Sequence, residues 1–178
     1  MNNIKENLKV GDVLLFKRTK SWSPVPKLIR LIEGNRYVHV AVVVKEGPDP
    51  LIAEIDAGFR MRVGSWELVT KKEIPDVARL SSDYYISKYS IIKYALSVIG
   101  MSYGYSKIID SMINHFLGFL FSVFGKRHVY KTYVGNPNHE ICSTLVSKIL
   151  SQITSLNYNK FSEPDDYCKP PFIVIYKN

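Results

Sequence analysis

The strongest pattern along the chain is a β-branched run, Tyr37 to Lys45 (YVHVAVVVK), with almost no polar position in it. Strands covered on both faces have this composition, so a sheet buried on both sides is expected here. Val13 to Phe16 is a shorter run of the same kind, set off by the turn Val10-Gly11-Asp12. Gly47-Pro48-Asp49-Pro50 is a turn cluster, and Leu51 to Ala57 beyond it makes the second arm of a hairpin. Phe59 to Val63 alternates apolar and basic residues, which predicts a third strand with one wet face. Pro75 to Leu80 and Phe172 to Tyr176 complete the strand set.

Helical spacing occurs in four places. Lys27 to Glu33 is short and stopped by Gly34-Asn35, and Ser87 to Ile99 is closed by Gly100. Lys107 to Phe124 is apolar nearly all round, and Ile141 to Ile153 follows the loop Gly135 to Asn138. Ser162 to Asp166 reads as a further loop. Strands come first and most helices later, with no internal repeat or linker. The expectation is one α+β domain over residues 1–178, a small antiparallel sheet or partial barrel packed against helices.

A chain of 178 residues with 46% apolar and 22% charged positions is ordinary for one globular domain. The formal charge of +8 favours anionic partners, but the basic residues are spread out, densest at Lys71-Lys72 and Lys126-Arg127-His128. There is no arginine-rich run, zinc-finger spacing or RNA-binding aromatic signature, so nucleic acid is not the expected partner. The two cysteines, Cys142 and Cys168, form neither a disulfide framework nor a metal motif, and no metal or cofactor is expected. Met1 to Gly11 is polar and charged, unlike a signal peptide, which makes a reducing, cytoplasmic setting the expectation.

Cys142 stands where a loop runs into a helix. Backbone N–H groups at a helix N-terminus favour an anion, so a thiolate is stabilised there and a developing oxyanion can be received. A nucleophilic thiol needs a base that titrates near neutral pH, which means histidine. His39 lies inside the apolar strand; His115 falls in the long apolar segment, His128 in a basic loop, and His139 only three residues before Cys142. The hairpin partner offers Glu54 and Asp56 to orient an imidazole, and both share one face of their strand. Spacing alone does not choose between them. Tyr103 and Tyr105 bracket Gly104 and could donate to substrate or oxyanion, or simply fill core.

The ordered set Gly11-Asp12-Val13-Leu14-Leu15-Phe16, Tyr37-Val38-His39-Val40-Ala41, Leu51-Ile52-Ala53-Glu54, Gly100-Met101-Ser102-Tyr103-Gly104, Ile141-Cys142-Ser143-Thr144-Leu145-Val146 and Glu163-Pro164-Asp165-Asp166 resembles the permuted NlpC/P60 papain-like cysteine peptidase and amidase family, in its YaeF/YiiX-like and poxvirus branch. The resemblance implies a circularly permuted papain-like fold, with Cys142 as nucleophile, His39 as base and Glu54, rather than Asp56, as the orienting group. It also implies a tyrosine of the 103–105 segment near the site. Thr144 stands where family members often carry an acid, a departure next to the nucleophile.

The implied activity is cleavage of an amide bond, in a peptide or related substrate, through an acyl-enzyme. Lys107 to Phe124 raises a variant, a lipid acyltransferase or lipase with a lipid-like acyl substrate. That segment is too polar at Lys107, Asp110, Asn114 and His115 to span a membrane. It suits a core helix, a groove wall or a peripheral membrane surface reaching to residue 127. The alternative from another class is a non-catalytic binding protein for an anionic or membrane partner.

Overall fold

The computed structural model describes residues 2–17, 36–55, 60–81, 87–104, 139–151 and 163–177. The chain is α+β. Six strands form one antiparallel sheet: β1 (Val13–Phe16), β2 (His39–Lys45), β3 (Leu51–Glu54), β4 (Arg62–Ser65), β5 (Asp76–Leu80) and β8 (Phe172–Tyr176), in the order β4-β3-β2-β1-β5-β8. Two short strands, β6 (Ser102–Tyr103) and β7 (His139–Glu140), pair in parallel beside it. The helices are α1 (Asn2–Glu6), α2 (Trp66–Thr70), α3 (Lys88–Ser97) and α4 (Cys142–Ser151), and a 3-10 helix spans Pro164–Cys168.

The uninterrupted apolar character of β1 and β2 has the predicted cause: both faces of the sheet are covered. Val13, Leu15, Val40, Val42, Val44, Ala53 and Ala78 pack in one cluster with Ile91 and Ala95 of α3 and Leu145, Val146 and Ile149 of α4. Leu14, Phe16, Ala41, Val43, Ile52 and Val77 pack in a second cluster with Ile4 and Leu8, with Trp66 and Val69 of α2 at its margin. A fully buried valine or leucine contributes about 1.5–3 kcal/mol, so this central pair of strands dominates the stability of the sheet.

The predicted hairpin forms, with Val42 opposite Ala53 and Val43 opposite Ile52. A bulge between Val43 and Lys45 shifts its register. Gly100 closes α3 in the left-handed region at φ 86°, as its place after the apolar run predicts. Two expectations are corrected. The third strand spans Arg62–Ser65 rather than beginning at Phe59; its wet face is kept, with Arg60 exposed and Arg62 37% exposed while its fork also reaches a carboxylate. Residues 164–168 coil into a 3-10 helix where a loop is expected, because Glu163 and Asp166 cap each other's backbone reciprocally. The helix expected over 141–153 is described as Cys142–Ser151, and residues 152–153 lie outside the described residues. The expected helices at 27–33 and 107–124 lie outside the described residues. Among the described residues no helix is long and apolar enough to cross a membrane.

Candidate active site

β2 begins at His39, and β3 ends at Glu54, so the two residues share one end of the sheet. Continuing the hairpin register from Val42 and Ala53 sets Glu54 diagonal to His39, within reach of a long side chain. Their side chains meet: His39 Nε2 lies 2.9 Å from Glu54 Oε2, with both groups almost wholly buried. The choice left open between Glu54 and Asp56 thus falls to Glu54 as His39's partner; Asp56 lies outside the described residues.

Glu54 is held from a second side. Arg62, opposite it on β4, donates from Nε at 2.9 Å and from Nη2 at 2.6 Å, both to Oε1. The carboxylate therefore divides its oxygens, one to the guanidinium and one to the imidazole. Burial alone pushes the Glu54 carboxyl up; the hydrogen bonds and positive charge of His39 and Arg62 outweigh it and bring the group down to about 2. At neutral pH it is an anion. On the remaining side Phe16, the ladder partner of His39 on β1, sets its ring 5.4 Å from the imidazole at 43°.

Cys142 is the first residue of α4 and is 5% exposed. The Ile141 carbonyl accepts the helix's first bond from Leu145 N, which makes Ile141 the N-cap. Isoleucine has no oxygen with which to cap. Thr144, at the position where the resembled family often carries an acid, instead bonds back to Ile141, its hydroxyl 3.3 Å from the amide and 3.2 Å from the carbonyl. The macrodipole puts partial positive charge at the thiol's end of α4.

The head of α4 is delivered to the same end of the sheet as His39. β7 immediately precedes it and pairs with β6, which bridges through Ser102 to Arg60, two residues from Arg62. Alternation along β2 directs His39 with Ala41 and Val43 to one face, while Val40, Val42 and Val44 meet α4 on the other. The thiol lies on the α4 side and the imidazole on the other, so an approach between them would run around the end of the sheet, past the first residue of β2.

The 3-10 helix fastens both sides of this site. Asp165 accepts the backbone N–H of Arg36 and of Tyr37 at 2.9 Å each, fixing the lead-in to β2. Tyr167, fully buried, donates its hydroxyl to the Ser143 carbonyl at 2.7 Å, one residue after Cys142. Burial pushes the Tyr167 phenol up, so it stays protonated as that bond requires. Tyr37 in turn donates to the buried Asp76 at 2.5 Å, and Lys17 pairs with the same carboxylate at 3.1 Å.

Tyr103 is buried in the core cluster that contains Cys142, and Tyr105 lies outside the described residues. His139 sits in β7 with its side chain outside them, as do His115 and His128 entirely. Neither Cys168 nor Cys142 is in a disulfide; burial raises the Cys168 pKa, with the Asp165 charge acting the same way. Arg62 and Tyr167 carry no distinct signal in the sequence, Arg62 being one basic position in an alternating run, and Asp165 enters only as part of the Glu163–Asp166 motif. The comparison with known proteins adds no assignment: neither a scan against protein-family models nor a search of curated proteins finds a match for this chain.

Proposed function

We propose that the chain is a cysteine-dependent hydrolase that cleaves an amide bond, in a peptide or related substrate, through an acyl-enzyme on Cys142. The observation that carries this reading is the buried His39–Glu54 pair, 2.9 Å apart, at the sheet end to which the Cys142 helix is delivered. A buried imidazole with an anion on Nε2 keeps Nδ1 for proton transfer, and a carboxylate there favours the imidazolium that forms when the thiol is deprotonated. The order of a strand histidine, a strand glutamate and a helix-head cysteine supports the finer fold reading, a circularly permuted papain-like arrangement.

In this mechanism His39 takes the thiol proton and Cys142 Sγ attacks the carbonyl carbon. Backbone N–H groups at the head of α4 receive the oxyanion. Collapse breaks the C–N bond, and His39 passes its proton to the departing amine. Water, deprotonated by His39, then attacks the thioester, releasing the acid and restoring the thiol. A free thiol nucleophile calls for a reducing setting such as the cytoplasm.

Alkylation by iodoacetamide at pH 6, read peptide by peptide by mass spectrometry, tests the pairing. Cys142 is expected to label much faster than Cys168, and His39→Ala to remove the difference. Equal rates at the two cysteines in the parent protein would overturn the proposal and favour a binding role. Cys142→Ala should leave the circular dichroism spectrum unchanged and abolish amide hydrolysis.

A further inference from the structure

We propose that Arg62 is a positioning residue for His39, acting through Glu54: its fork fixes the carboxylate's orientation, and its cation keeps that carboxylate from locking the imidazole in the protonated form. This inference rests on the hydrolase reading for its purpose, though not for its measurement.

Three N–H groups fix the Glu54 carboxylate, two from Arg62 on Oε1 and one from His39 on Oε2. An isolated buried carboxylate beside an imidazole binds the imidazolium strongly, and a histidine held charged is no base. Arg62 supplies the missing balance. Its guanidinium is close enough to neutralise much of the Glu54 charge and to oppose a second cation at His39, while its own side chain is 37% exposed and hydrated.

Among the described residues, the charged groups seen to bear on the imidazole are Glu54 from β3 and, through it, Arg62 from β4; in the proposed reading the Cys142 thiol at the head of α4 joins them. β1 presents the uncharged Phe16 ring, and Lys17 beyond it is paired with Asp76. The planar fork matters separately from the charge, because lysine offers a point charge that cannot grip one oxygen with two donors.

The test is a pH titration of His39 by NMR in protein labelled with 15N-histidine, its signal assigned by loss in His39→Gln. A Cys142→Ser background removes the thiol's own titration. Arg62→Met is expected to raise the His39 pKa by about one pH unit, a tenfold tighter hold on the proton. Arg62→Lys should return it to near the parent value, and Glu54→Gln should lower it. An unchanged titration in Arg62→Met, or Arg62→Lys behaving as Arg62→Met does, would overturn the proposal. Failure of the thiol alkylation test would remove the hydrolase reading and leave this titration untouched, so the two results fail separately.

Discussion

Replacing Glu54 by glutamine removes one charge and little volume from a site where both neighbours, the Arg62 guanidinium and the His39 imidazole, are hydrogen-bond donors to it. The native carboxyl is lowered from 4.5 to about 2. A depression of that size corresponds to about 3 kcal/mol of folding free energy for a buried group. Arg62 is 37% exposed and its contribution is screened by solvent, so about 2 kcal/mol is the expected difference between parent and Glu54→Gln at pH 7. The direction with pH follows from the sign of the shift. A carboxyl depressed on folding stabilises the native state above its unfolded value of 4.5, and that stability drains away as pH falls through 4.5 toward 2. Urea unfolding of both proteins at pH 7, 4.5 and 3 reads the effect directly. The gap should be full at pH 7 and narrow steadily below 4.5. Parallel stability curves over this range would refute the view that Glu54 is held as an anion by its neighbours.

Other perturbations have simpler readouts. Tyr167→Phe leaves the buried Ser143 carbonyl without its phenol donor and should cost about 1–2 kcal/mol in urea unfolding. Asp12→Asn breaks the two-bond grip of Arg79 on the buried Asp12 carboxylate, each bond 2.8 Å, and should cost roughly 2–3 kcal/mol, measured the same way. Gly100→Ala forces a side chain into the left-handed conformation at the end of α3 and should lower stability by about 1 kcal/mol even though a Cβ meets nothing within 4 Å.

What could be read before the structure, and what could not, divides along physical lines. β1, β2, β5, β8, α3 and α4 announce themselves because continuous apolar runs or helical spacing report burial directly. α1 does not, since its sequence is mostly polar, with Ile4 entering the core. α2 is equally short and is marked in the sequence only by its cap, Ser65, whose hydroxyl accepts from Leu68 N at 3.4 Å. The pairing of His39 with Glu54 depends on a hairpin register that a bulge between Val43 and Lys45 displaces, and no residue type in the turn encodes that shift. Arg62 shows a different limit: in an alternating strand a basic residue that only faces water and one that also grips a buried carboxylate look alike. The Glu163-Pro164-Asp165-Asp166 motif carries its own signal for a helical turn rather than a loop, a proline at the first helical position between mutually capping acids.

The bonds from Arg36 and Tyr37 to Asp165 join residues 129 and 128 positions apart. Contacts of such separation form slowly, because a long loop must close before any reward arrives. Both the histidine strand and the cysteine helix precede the segment that ties them down. On the ribosome the sheet can begin to assemble while Cys142 and His39 are still unregistered, and under the proposed hydrolase reading reactivity would wait for the C-terminal clasp.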